Sequence, residues 1–332
     1  MAVQKVVVIG ASTGGLKALR VLLKDLPADL PAAIFIAMHI GAWPSVLPAI
    51  LQKVCPLPVR HPEDGEKIAR SCVYIAPSDR HLLITDGEIR LSRGPKENFA
   101  RPAIDPLFRS AAVDFGPKAI GIILTGELDD GAAGLRAISA CGGFTMVQSP
   151  DSCEAASMPL AAMQAAQVDR VVPIDEMSNA ITDAVQQGNP TRSVSMSERI
   201  DVEIETRIAL TGQSSPQELD KIGTPSRLTC PDCGGVVWRI GDDLPLRYRC
   251  HTGHAFSALS LDKAQANGAE DALWMALRRL NERLLLAEDE AKETAEPSQG
   301  EATLTSTKVA DIETARQALL KIIASDASAS SV

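Results

Sequence analysis

Short apolar runs recur along the first half of the chain, separated by stretches of helix-like spacing. The clearest are Val6–Ile9, Ala33–Met38, Cys72–Ala76, Ala119–Leu124, Phe144–Gln148 and Arg170–Pro173. Runs this short, rich in valine, isoleucine and alanine, suit strands buried on both faces. The stretch from Leu16 to Leu26 is one of the intervening helical segments. Alternation of this kind predicts an α/β fold: a doubly wound, mostly parallel, Rossmann-like sheet with helices on both faces. Leu82–Thr85 and Glu88–Leu91 differ, because they flank Asp86-Gly87, a strong hairpin signal. They predict an antiparallel hairpin at one edge or end of the sheet.

Past residue 187 the pattern changes. Asn189 to Ser197 is polar and Gly212 to Pro216 is looser still, which reads as linker around one ordered piece near Glu198–Leu210. A compact cysteine-bearing module follows. Further on, Leu273, Leu277, Leu280, Leu284 and Ala287 step by four and three, as an amphipathic helix seam does. Val309, Ile312, Leu319 and Ile323 form a second, weaker stripe, with a break expected at Pro297 to Gly300. The expected division is a domain over 1–187, a linker over 188–227, a zinc-ribbon-like module over 228–258, C-terminal helices over 259–325 and a disordered tail over 326–332. The tail helices are acidic and offer a surface for self-association or partner docking.

Composition narrows the function. The chain has 332 residues, 45% of them hydrophobic and only 3% aromatic, so aliphatic side chains must fill the core. A net charge of −9 argues against nucleic acid and anionic membranes as partners. The sequence has no apolar stretch of about 18 residues, so no membrane insertion is expected. The first strand starts close to Met1 and leaves no room for a signal peptide. Seven cysteines then read as thiols or a metal site in a cytoplasmic protein, not as disulfides.

The first strand runs into Gly10-Ala-Ser12-Thr-Gly14-Gly15, a G-x-S-x-G pattern at a strand-to-helix turn. Such a turn exposes the serine hydroxyl and sets backbone N–H groups beside it. A glycine-rich turn here more often cradles a phosphate. However, Ser12 stands where a dinucleotide fingerprint needs its second glycine, and the next apolar strand ends in His39, not in an acid. Three polar residues fall just after predicted parallel strands: Ser12, His39 and Asp130. The carboxyl ends of such strands gather on one rim, so residues distant in sequence meet there. Serine needs a base, histidine titrates near neutrality, and a carboxylate orients the imidazole. The order Ser…His…Asp differs from that of α/β-hydrolases.

With these residues in place, the region 3–187 resembles the catalytic domain of the CheB-type protein-glutamate methylesterases of bacterial chemotaxis. The resemblance is carried by Ile9 to Gly15, Met38-His39, Val73 to Pro77 with Asp79-Arg80-His81, Arg101 to Asp105, and Leu107 to Ser110. Leu124 to Gly126, Asp130 to Gly134 and Met158-Pro159 complete it. It implies hydrolysis of glutamyl methyl esters on chemoreceptor helices, releasing methanol, and deamidation of certain receptor glutamines. Ser12 becomes the nucleophile, His39 the base and Asp130 its orienter, with no cofactor for catalysis. The Thr13 backbone N–H at the helix start is placed near the oxyanion, next to Glu127. Glu127-Leu128 departs from the Met-Gly of many family members. Its carboxylate either repels developing negative charge or points to solvent. The family's usual receiver domain is expected to be missing, and with it regulation by phosphorylation. Arg101 and Arg109 are candidates for contact with an acidic receptor surface, while His61 and His81 read as structural. Two rivals are a catalytically weak or inactive scaffold that uses the same fold and its zinc module, and a nucleotide-binding enzyme.

Cys230-Pro-Asp-Cys233 and Cys250-His-Thr-Gly-His254 enclose a spacer rich in strand formers, the plan of a zinc ribbon. Cys230, Cys233, Cys250 and His254 are the expected ligands of a structural zinc, with His251 in reserve. Cys55, Cys72, Cys141 and Cys153 are scattered and suit buried hydrophobic positions.

Overall fold

The computed structural model describes residues 5–40, 45–187, 196–293 and 299–329. The chain falls into two compact units, Met1–Leu261 and Asp262–Val332. The first opens with β1 (Lys5–Ala11), α1 (Gly15–Lys24), β2 (Ala32–Met38), α2 (Leu47–Gln52), β3 (Val59–Arg60), β4 (Val73–Ile75), β5 (His81–Thr85) and β6 (Glu88–Ser92). It continues with α3 (Ile104–Phe115), β7 (Ala119–Ile123), α4 (Ala132–Ala140), β8 (Phe144–Gln148), α5 (Ser157–Ala165), β9 (Arg170–Val172) and α6 (Met177–Gln186).

Seven strands form one sheet in the order β3-β4-β2-β1-β7-β8-β9, and every neighbouring pair is parallel. The central strand β1 shows why its sequence is continuously apolar. Val7 and Ile9 pack with Leu19, Leu22 and Leu23 of α1 and Ile181 of α6. Val6 and Val8 point the other way, into a layer with Leu107 and Phe108 of α3 and Leu135 of α4. Successive side chains alternate between faces and both faces are buried, so no polar alternation is permitted. The strand order reverses at β1, which sets the carboxyl ends of β1, β2 and β7 side by side.

The hairpin β5–β6 forms, but as a separate two-stranded sheet instead of an edge of the main one. Leu82, Ile84 and Ile89 pack in the α3 layer, and the Ile84 N–H donates to the Ser110 hydroxyl at 3.0 Å. Its apolar face is satisfied by a helix, so no pairing with the main sheet is needed.

The expected linker over 188–227 is largely ordered where it is described. Residues 188–195 lie outside the described residues. Helix α7 (Met196–Thr211) follows, covering the ordered piece expected near Glu198–Leu210, then α8 (Pro216–Ile222) and β10 (Gly223–Thr229). β10 belongs to the four-stranded antiparallel sheet of the cysteine module, with β11 (Val236–Ile240), β12 (Arg247–Cys250) and β13 (Ala255–Ser257). The module therefore starts upstream of residue 228. Val202 of α7 enters the α3 layer, while Ile208 of the same helix packs with Leu219, Ile222, Trp238 and Ile240. The polar and Gly/Pro composition concealed these elements because their apolar positions are few.

Helix α9 (Ala258–Glu293) leads from the first unit into the second, which also contains α10 (Gln299–Ala329). The most buried seam positions are Leu277, Ala287, Ile312 and Ile323, as the spacing predicts. Part of the expected break, 294–298, lies outside the described residues. The tail expected to be disordered from 326 is helical through Ala329, because its alanines favour helix continuation. Residues 330–332 lie outside the described residues.

Candidate active site

The sheet register builds the site. Ala11 of β1 pairs with Met38 of β2, so the next residues, Ser12 and His39, leave the sheet together. The Ser12 N–H donates to the Thr125 carbonyl beyond β7 at 3.0 Å, which anchors the turn to the third strand. Gly14 takes φ +77° before α1 begins at Gly15, a backbone that glycine adopts at no steric cost. Gly126 is needed for space, because a Cβ there would come 2.8 Å from the Ser12 Cβ and 2.4 Å from the Met158 sulfur.

His39 Nδ1 lies 3.1 Å from the Ser12 hydroxyl oxygen, and His39 Nε2 lies 2.7 Å from Asp130 Oδ2. The His39 side chain is 25% exposed and Asp130 only 2%. Asp130 also does the work of a helix cap. Ala103 precedes α3 without a capping side chain, and the Ile104 and Asp105 N–H groups donate to Asp130 at 2.7 and 3.3 Å. The Asn98 amide adds a bond to Oδ1 at 3.1 Å. Burial would raise the Asp130 pKa, but the bonds from His39, Ile104 and Asn98 outweigh it and hold the carboxyl below its usual range. An ionised Asp130 fixes the Nε2–H tautomer of His39, which leaves Nδ1 free to accept the serine proton.

Neighbouring carboxyls behave differently. Burial, then the Asp130 charge, pushes Asp105 up to about 8. Its oxygens accept from the Gly134 N–H at 2.7 Å and the Asn98 amide at 3.2 Å. Burial also raises Asp129, which accepts from the Ser257 hydroxyl at 2.7 Å.

The relay opens into a cleft of about 570 Å³, lined by Ser12, Thr13, His39, Phe99, Arg101 and Glu127 among others. The Thr13 amide lies ahead of the helix proper, which starts at Gly15. Glu127 is exposed at the rim, and Leu128 beside it has φ +62°, a left-handed backbone that glycine adopts freely. A second cleft of about 590 Å³ meets the first at Ser12 and is lined by Lys17, Arg20, Lys24, Met38 and Val54.

Of the two arginines expected at a receptor-facing surface, Arg101 lines the relay cleft and Arg109 is buried. Arg101 binds Asp79 with a 2.9 Å bond from Nε. Arg109 is buried and pairs with Glu97, because it faces inward from α3. Glu97 also binds Arg249 at 3.0 Å, Arg249 binds Glu205 at 3.0 Å, and Arg247 completes the chain on Glu205. Burial would raise both glutamates, but the surrounding arginines hold them low. His61 and His81 bond to the backbone carbonyls of Ile75 and Pro95, at 2.8 and 2.9 Å. Sequence reading missed Asn98 and Thr125, whose hydroxyl lies 3.0 Å from the Thr13 carbonyl oxygen. Asn98 sits in an aperiodic loop that gives no signal before folding.

In the module, the ligand atoms of Cys230, Cys233, Cys250 and His254 lie within 4.8 Å of one another. The Cys233 and Cys250 sulfurs are 3.7 Å apart, and His254 Nδ1 lies 3.7 and 3.6 Å from the Cys230 and Cys250 sulfurs. Tetrahedral zinc with Zn–S bonds of about 2.3 Å sets neighbouring ligands roughly this far apart. His254 Nε2 lies 3.9 Å from Asp232 Oδ2. His251 is exposed and outside the cluster.

Fold and site define a class: a doubly wound α/β domain with a Ser–His–Asp relay at the strand ends. The profile of the CheB methylesterase family matches residues 7–181, just over half of the chain, and the chain belongs to this family. It is 42% identical over 178 residues to protein-glutamate methylesterase/protein-glutamine glutaminase 2 of Anaeromyxobacter dehalogenans, covering 53% of this chain and 52% of that protein. It is 40% identical over 192 residues to the corresponding protein 1 of Geobacter metallireducens, covering 56% and 53%. The chain thus spans about half the length of these relatives. The Thermotoga maritima CheB methylesterase catalytic domain superposes with a TM-score of 0.52 at 32% identity, covering 54% of this chain and 97% of that domain.

Proposed function

We propose that this protein hydrolyses methyl esters of glutamate side chains on chemoreceptor helices, and deamidates receptor glutamines at the same site. The observation that carries this reading is the unbroken relay from Ser12 through His39 to a buried Asp130, open to a cleft. Ser12 Oγ attacks the ester carbonyl while His39 Nδ1 takes its proton. Nδ1 returns that proton to the departing methoxide, which leaves as methanol. A water molecule, deprotonated by the same nitrogen, then releases the glutamate and restores Ser12. With glutamine the leaving group is ammonia. The Thr13 N–H is the proposed donor to the oxyanion, and Glu127 flanks it. Lys17, Arg20 and Lys24, which line the cleft adjoining Ser12, favour an acidic protein substrate.

The donor set and spacing of Cys230, Cys233, Cys250 and His254 support a structural zinc with no open position. Exposed Trp274, Met275, Leu285 and Leu286 on α9 support docking through the C-terminal helices. Among the described residues no helix is long and apolar enough to cross a membrane, which agrees with a cytoplasmic site of action. The test is methanol release from methylated chemoreceptor. Wild type should release it and Ser12→Ala should not. Equal release by both would end the serine-esterase reading.

A further inference from the structure

Residues 96–99 lie between the catalytic relay and the cysteine module and bond to both. Toward the relay, the two Asn98 amide hydrogens serve Asp130 Oδ1 at 3.1 Å and Asp105 Oδ2 at 3.2 Å. Toward the module, Asn98 Oδ1 accepts from the Ser257 N–H and the Ser260 hydroxyl, both at 2.9 Å. The Asn98 N–H donates to the Ala255 carbonyl at 2.9 Å, and the Phe99 and Phe256 rings meet edge-on at 5.8 Å. The Ser257 hydroxyl holds Asp129, the neighbour of Asp130. All four potential bonds of the Asn98 side chain are thus used, one of them with Ser257 of β13 and one with Ser260 in the first turn of α9.

The module side of this clasp starts one residue after a zinc-ligand candidate. His254 precedes β13, and its carbonyl accepts from the Cys250 N–H at 2.9 Å. The surrounding apolar cluster is Cys230, Val237, Cys250, Phe256 and Leu261. Phe99 and Tyr248 pack against these five, two of which are ligand candidates, so in this small cluster metal binding would add to the β12 pairing that holds the three-residue strand.

We propose that zinc bound by Cys230, Cys233, Cys250 and His254 fixes β13, and that β13 sets the orientation of Asp130 through Asn98. The module is then a positioning part of the hydrolytic site and not an independent attachment. Asn98 is a positioning residue: it acts through its bond to Asp130. Where activity is read, the inference rests on the methylesterase reading above.

The experiment uses the full chain, with zinc content measured before and after chelation. Amide hydrogen exchange and the kinetics of methanol release are followed in parallel. Removing zinc should speed exchange at 96–99 and 255–260 while leaving β1 and β2 protected. It should lower kcat by about 10- to 100-fold, the usual penalty for a misplaced catalytic group, with KM nearly unchanged. Returning zinc should restore both. Asn98→Ala should lower kcat to a similar degree, and chelation should then add less than about twofold. Ser260→Thr keeps the hydroxyl and should retain activity that Ser260→Ala loses. The proposal falls if the isolated protein carries no zinc, if the stripped protein keeps its exchange pattern and kcat, or if the effects of Asn98→Ala and chelation multiply. If exchange at 96–99 responds to zinc but the loaded wild type releases no methanol, the clasp stands and the esterase reading fails.

Discussion

Two polar constellations meet at the loop 96–99, and they are built on opposite principles. Ser12, His39 and Asp130 are joined by hydrogen bonds and open to a cleft, with His39 partly exposed. Arg109, Glu97, Arg249, Glu205 and Arg247 are joined by ion pairs, and four of the five are at most 3% exposed. The first must change protonation to work and therefore needs water, substrate and a mobile proton. The second ties α3, α7 and β12 together and must keep every charge, because one uncompensated buried ion costs several kcal/mol. Similar polar side chains serve reaction in one place and assembly in the other. Solvent access and partner count make the difference.

The largest effects should separate the two constellations. Ser12→Ala should lower methanol release by about 10⁴-fold or more and leave the unfolding midpoint unchanged, because Ser12 holds no structural bond that alanine would break. A large drop in the midpoint would show that the relay also carries the fold. Glu97→Ala should act the other way. It leaves Arg109 and Arg249 without their shared partner, and urea unfolding should show a loss of about 3–5 kcal/mol. A loss below about 1 kcal/mol would mean that water reaches the network.

Asp105 sits between the two and titrates. The native state holds its proton up to about pH 8, whereas the unfolded chain releases it near the ordinary value of about 4. In that window the unfolded state binds fewer protons, so this group makes stability fall as pH rises. Asp105→Asn should flatten that fall when unfolding is measured from pH 5 to 8. An unchanged slope would place the titration on another group.

The smallest effects belong to the rim. Leu128→Gly should relieve the left-handed backbone and stabilise by up to about 1 kcal/mol in urea. Glu127→Gln should change kcat by less than about threefold, because an exposed charge is screened by solvent. A much larger gain in rate would mean that the carboxylate faces the oxyanion.

Much of this was legible before folding. The continuous apolar strands could be read because burial on both faces leaves no room for polar alternation, and Val6 to Ile9 illustrate it. Ser12 and His39 could be placed because each directly follows a strand. The four close-set ligand candidates, Cys230, Cys233, Cys250 and His254, were marked by spacing alone. What local pattern did not contain was the partner of each polar group. Arg109 looks like a surface residue until α3 turns it toward Glu97. Asn98 looks like loop until residues 257 and 260 close over it. The segment 216–227 looks like linker until α8 packs on Trp238 and β11 pairs with β10. The sequence by itself determined the strands of the first half and the candidate reactive side chains, because periodicity and ligand spacing are local properties. Only the tertiary structure decided which charges are buried together and which amide holds Asp130, because those contacts join residues 12 to 152 positions apart that no local pattern links.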